Sequence, residues 1–137
     1  MREVRAKGEE KDARAEQENR YKPSGRNASK AGVARADAED EVAKEKCNDL
    51  SGNTKDVCKK DAKAAHVHAV ENAKVVQAAT AAGETRTEKA ANVAEARKDA
   101  AAEKREADYK AAAERCDALS GDLKSKCVDD AKRRFAQ

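Results

Sequence analysis

The stretch Cys47-Asn48-Asp49-Leu50-Ser51-Gly52-Asn53-Thr54-Lys55-Asp56-Val57-Cys58 returns 69 residues later as Cys116-Asp117-Ala118-Leu119-Ser120-Gly121-Asp122-Leu123-Lys124-Ser125-Lys126-Cys127. Both copies hold ten residues between their cysteines, place Leu-Ser-Gly at the same offset and run on into Asp-Ala-Lys. Matched positions at a fixed period mark an internal repeat. A Leu-Ser-Gly turn with one cysteine about a turn of helix to either side is the pattern of an antiparallel helical hairpin. There the two cysteines face each other across the seam, within the reach of a disulfide. Of the three connectivities open to four cysteines, Cys47 with Cys58 and Cys116 with Cys127 are expected, because each closes a short loop. The loop-entropy argument assigns each bond about 3 kcal/mol.

Composition makes such cross-links consequential. Apolar residues are 39% of the chain, but 32 of them are alanine; there are three leucines, no isoleucine or tryptophan and one phenylalanine. Alanine removes little carbon surface from water, so a thick interior is excluded. Ala, Lys, Glu and Arg are strong helix formers, and at 42% charged residues with one proline the composition is that of long helices. Strands lack the β-branched and aromatic residues they need. The expected fold is all-α: tandem antiparallel helical hairpins, as an extended bundle or repeat array, each turn closed by a disulfide.

Along the chain, residues 1–27 read as a partial repeat helix ending in the Tyr21-Lys22-Pro23-Ser24-Gly25 turn. Proline restricts the residue before it, and Ser-Gly adds turn character. Glu3-Val4-Arg5-Ala6 aligns with His66-Val67-His68-Ala69, so the chain is expected to begin partway through a repeat. Residues 28–83 form hairpin repeat 1 and residues 84–137 hairpin repeat 2. In repeat 1 a helix from about Ala28 to Ser51 carries Val33, Ala36, Ala43, Cys47 and Leu50 on one stripe, broken by Asp40. Ala31, Ala34, Ala38 and Val42 form a second stripe. Gly52 and Gly121 suit a left-handed turn position; Asn53 and Asp122 are expected to cap the helices that follow. The next helix places Cys58, Ala62, Ala65, Ala69, Ala73, Val76 and Thr80 on a single face. Thr85 with Glu88 reads as a capping box opening a helix of roughly 35 residues to Leu119. A last helix is expected from about Leu123 to Phe135.

No residue pattern points to catalysis. Ten residues between cysteines is too wide for a zinc knuckle, and Cys-x-x-Cys is absent. His66 and His68, the two histidines, stand about 200° apart on a helix and cannot chelate together; a solvated or seam-edge place is expected for them. Ser51 and Ser120 have no histidine base in their motif, no phosphate loop occurs, and Tyr21 and Tyr109 read as packing residues. No cofactor and no metal site are expected. Thirty basic residues are interleaved with 27 acidic ones, which leaves only Lys132-Arg133-Arg134 as a basic cluster and argues against nucleic acid as a partner. No run approaches membrane-spanning length. The segment Met1-Arg2-Glu3-Val4-Arg5 is not a signal peptide, whereas paired cysteines suit an oxidising compartment. An N-terminal truncation is the expected resolution.

Val42-Ala43-Lys44-Glu45-Lys46-Cys47, Leu50-Ser51-Gly52, Lys55-Asp56-Val57-Cys58 and Asp108-Tyr109-Lys110 through Cys116 resemble a group of uncharacterised, exported Ala/Lys-rich Cys-x10-Cys helical repeat proteins of beta-proteobacteria. Tyr21-Lys22-Pro23-Ser24 is similar to an inter-repeat segment of that group. The resemblance implies a periplasmic repeat protein, provided that a signal peptide lies upstream, and brings no catalytic residue to transfer. The expected role is then non-enzymatic: a periplasmic or cell-envelope spacer, scaffold or stress-protective binder. Its partner would be another copy or an envelope protein. The alternatives are a helix-pairing oligomerisation module and a thiol- or metal-buffering protein.

Overall fold

The computed structural model describes residues 2–137. Five helices follow one another: α1 (Arg2–Tyr21), α2 (Gly25–Cys47), α3 (Gly52–Thr80), α4 (Arg86–Cys116) and α5 (Gly121–Arg134). Each packs only on the helices next to it in sequence, α1 on α2, α2 on α3, α3 on α4 and α4 on α5. The hairpins therefore lie side by side as a single layer and do not fold back into a closed bundle. In such an array each repeat touches only its neighbours. Alanine explains why this suffices: small side chains let backbones approach, but they offer no bulk around which a second layer would gather.

The interior is a set of thin seams. Its buried apolar residues are Ala31, Ala36, Ala62, Ala64, Ala73, Ala100, Ala111 and Ala131, with Cys47 and Cys116 as the largest side chains wholly removed from solvent. All three leucines lie outside it, Leu50 at 40%, Leu119 at 41% and Leu123 at 67% exposure. Leu50 is thus not the last member of the α2 stripe. Its N–H donates to the Cys47 carbonyl at 3.1 Å in a turn beyond the helix.

Helix limits follow local chemistry. Ser24, extended at φ −155°, caps α2 by accepting from the Asn27 N–H at 3.0 Å, so α2 begins three residues earlier than the proline turn suggested. It stops at Cys47, where Asn48 closes the end through its N–H to the Glu45 and Lys46 carbonyls. Thr85 and Glu88 form the expected capping box: Glu88 N–H donates to Thr85 Oγ1 at 3.1 Å and Thr85 N–H to Glu88 Oε2 at 3.0 Å. The helix they open ends at Cys116, not Leu119.

The assignment of Asn53 and Asp122 as caps is corrected. Ser51 and Ser120 take that position, extended at φ −139° and −138°. Their carbonyls accept the first helical bonds, from Lys55 at 3.3 Å and Lys124 at 3.5 Å. Gly52 and Gly121 follow with φ of +58° and +57°, a region costly for any residue with a Cβ. The reversal is completed two residues earlier than a cap at Asn53 would require, which leaves Asn53 and Asp122 in the first turn of their helices.

Candidate functional site

Two features concentrate the chemistry of this chain: the stapled turns and the polar ties along the seams of α3. Cys47 is bonded to Cys58 and Cys116 to Cys127, with Cα separations of 5.6 and 5.7 Å; no cysteine is free. The bonds sit at the ends of α2 and α4, where the hairpin turns bring successive helices together. The two turns share backbone angles at Ser and Gly, so the repeat is one of conformation as well as of letters.

The α3 helix has two packed faces, whereas its apolar spacing indicated one. Toward α2, Gly32 lies opposite Ala73 and Cys47 opposite Cys58. Toward α4, polar ties run beside the buried alanines of the seam, Ala64, Ala100 and Ala111. Asp61 Oδ2 lies 2.5 Å from Arg115 Nη2, His68 Nε2 lies 2.9 Å from Asp108 Oδ1, and Lys104 Nζ donates to Asn72 Oδ1 at 2.5 Å. Numbers fall on α4 by the amount they rise on α3, the register of an antiparallel pair. The spacing 61, 68, 72 places all three on one face of a 3.6-residue helix. A scan for hydrophobic periodicity passes over such a face because it is charged.

The histidines divide between the two faces. His66 Nε2 lies 2.7 Å from Asp37 Oδ1 on α2, and His68 turns the other way to Asp108 on α4. Their opposed directions, expected from a spacing of two, become one tie to each neighbouring helix. A chelating pair is thereby excluded. Among the described residues no group of three or more His, Cys, Asp or Glu side chains is placed to hold a metal.

Two carboxylates are buried. Asp40, the polar break in the α2 stripe, meets Lys44 Nζ at 2.5 Å, and Glu71 meets Lys74 Nζ at 2.6 Å. In each pair the lysine is half exposed and carries its ammonium out to water from an adjacent position on the same helix, the usual behaviour of a long side chain over an apolar seam. On the outer hairpin, Arg35 reaches from α2 to Asp12 and Glu16 on α1. The charge of Asp12, then that of Glu16, holds the guanidinium above its ordinary pKa.

A groove of about 620 Å³ runs among α3, α4 and α5 and is lined by Asp61, Asp108, Arg115, Asp130, Arg134 and Phe135 among others. Its charges are engaged with one another or with neighbours: Asp61 with Arg115, Asp108 with His68, Asp130 with Arg133. Arg134 lies over the Phe135 ring at 5.3 Å. A substrate site needs convergent polar groups held free for a ligand, and this groove does not present them. No helix among the described residues is long and apolar enough to cross a membrane. No family model matches the chain, and neither a curated protein nor a solved structure matches it.

Proposed function

We propose that this chain is a non-enzymatic spacer or scaffold of the cell envelope, working in an oxidising compartment such as the periplasm. The observation that carries this reading is the single-layer order of the helices, each resting only on its sequence neighbours, with a disulfide at two of the four turns. Such an array converts residues into length. Its 31-residue α4 alone spans about 46 Å at 1.5 Å per residue. The staples suit an extracytoplasmic setting, where disulfides persist, and hold the register that alanine seams specify weakly. An envelope protein is the partner in view; nucleic acid is not, since acidic and basic residues alternate over the surface.

The test has two arms. Alkylation of the protein in intact cells that export it should find no reactive thiol before reduction and four after it. Free thiols in the native protein would replace the scaffold with the thiol-buffer reading. Calorimetry of the oxidised protein with Zn²⁺ or Cu²⁺ should show weak uptake or none. Tight, stoichiometric uptake lost in the His66→Ala, His68→Ala variant would replace it with a metal-buffer role.

A further inference from the structure

The two staples are asymmetric in the same way. Cys47 and Cys116, the last residues of α2 and α4, are wholly buried at 0% exposure. Their partners Cys58 and Cys127, on the helices that follow the turns, keep part of their surface in water. Cys58 lies on α3, which is flanked by α2 on one side and α4 on the other. Its opening to solvent therefore belongs to the inside of the layer.

A disulfide is opened by a thiolate that reaches one sulfur and expels the other. Access and leaving group favour opposite sulfurs here. Attack at Cys47 would expel the better-solvated Cys58, but no path leads to a residue at 0% exposure while the hairpin is closed. Attack at Cys58 has the path. Charge then emerges on Cys47, out of water and at the C-terminal end of α2, where the helix dipole is negative. Access decides which sulfur is attacked, because a closed route carries no flux. The leaving group decides how slowly the bond yields.

We propose that Cys58 and Cys127 are sites of reversible S-thiolation by low-molecular-weight thiols, with Cys47 and Cys116 as the resolving thiols. The incoming thiolate forms an S–S bond with Cys58. The Cys47–Cys58 bond breaks, and its electron pair leaves on Cys47, which takes a proton. One sulfur of the staple is reduced as the small thiol is oxidised into the mixed disulfide. In the reverse step Cys47 gives up that proton, attacks Cys58 and releases the small thiolate. The hairpin holds the two cysteines at a Cα separation of 5.6 Å, so the return is intramolecular and outruns attack by a second small thiol. The staple reseals instead of going on to full reduction. This chemistry does not depend on the envelope role.

Peptide mapping of the oxidised native chain tests it, after exposure to 2-mercaptoethanesulfonate, an acid quench and alkylation. The adduct should lie on Cys58 with the alkyl group on Cys47, and on Cys127 with the alkyl group on Cys116, in at least about tenfold excess over the converse isomers. Unfolding in guanidinium before the thiol is added should erase the preference; one that survives unfolding would overturn the part given to burial. Returned to neutral pH without free thiol or alkylation, the adduct should release the small thiol and restore the Cys47–Cys58 bond. A stable adduct would overturn the resolving role. Equal isomers, an excess on Cys47 or Cys116, or no adduct at a thiol concentration that labels the unfolded chain would each overturn the proposal. Single variants give a second reading, with native helix content checked by circular dichroism. The Cys58 thiol left by Cys47→Ser should react with a chromogenic aromatic disulfide at least about tenfold faster than the Cys47 thiol left by Cys58→Ser.

Discussion

Asn53 donates from Nδ2 to the Glu114 carbonyl oxygen at 3.1 Å, across 61 residues of sequence. The bond leaves the first stapled turn and lands two residues before Cys116, so one cross-linked hairpin is tied to the next.

Asn53 should therefore matter more than its repeat equivalent, Asp122. Asn53→Ala removes a part-buried hydrogen bond and should cost about 1 kcal/mol in a denaturant titration. Asp122 is exposed and in the first turn of α5, so Asp122→Ala loses only its interaction with the helix dipole, about 0.5 kcal/mol. Equal losses would restore the reading of both residues as caps.

Each disulfide should stabilise its own hairpin. Cys58→Ser and Cys127→Ser should each lower stability by about 2–3 kcal/mol on the loop-entropy argument. Hydrogen exchange should quicken first in the hairpin that was opened, because contacts in a one-layer array are nearest-neighbour. Peptide mapping without reduction checks the pairing; Cys47 recovered with Cys116 or Cys127 would refute it.

Two glycines with similar helical settings should respond to alanine with opposite signs. A Cβ at Gly8 would stand 2.8 Å from the Ala38 Cβ and 3.2 Å from its Cα. Backbone cannot yield cheaply, so Gly8→Ala should push α1 off α2 and destabilise by about 1–2 kcal/mol, overpacking exceeding the propensity gain. At Gly32 the added carbon meets only the Ala73 Cβ, at 3.4 Å. There helix propensity wins and Gly32→Ala should raise stability by about 0.5 kcal/mol. Thermal melts of the two variants decide both signs.

The His68–Asp108 tie should show a small coupling. Both side chains are about a third exposed or more, so a double-mutant cycle with His68→Ala and Asp108→Ala should return about 0.5 kcal/mol. His66→Ala with His68→Ala should leave helix content unchanged and cost about 1 kcal/mol at most. A coupling above 2 kcal/mol would show that the polar face of α3, rather than its alanines, holds α4 in place.

Gly52→Val should cost more than Gly52→Ala, although nothing lies within 4 Å of either added Cβ. The penalty is then purely that of φ +58°, about 1 kcal/mol for alanine and more for a β-branched residue. Chemical denaturation of the two variants measures the difference.

By itself the sequence determined the helices, the two turns and the cysteine pairs. Each of these is local: alanine-rich windows favour helix, Leu-Ser-Gly with a glycine at positive φ reverses the chain, and cysteines eleven apart across such a turn must meet. The Thr85–Glu88 capping box was legible for the same reason. What lay beyond sequence was everything that joins one hairpin to the next. Whether the hairpins form a bundle or a layer depends on which faces meet, and alanine stripes carry too little shape to say. The ties from α3 to α4 are made by Asp61, His68 and Asn72, polar residues indistinguishable in sequence from a solvated surface until Arg115, Asp108 and Lys104 stand opposite. Asn53 looked like a cap because its partner, the Glu114 carbonyl, belongs to a distant helix. The fold of each hairpin follows from neighbours in sequence; the layer follows from neighbours in space.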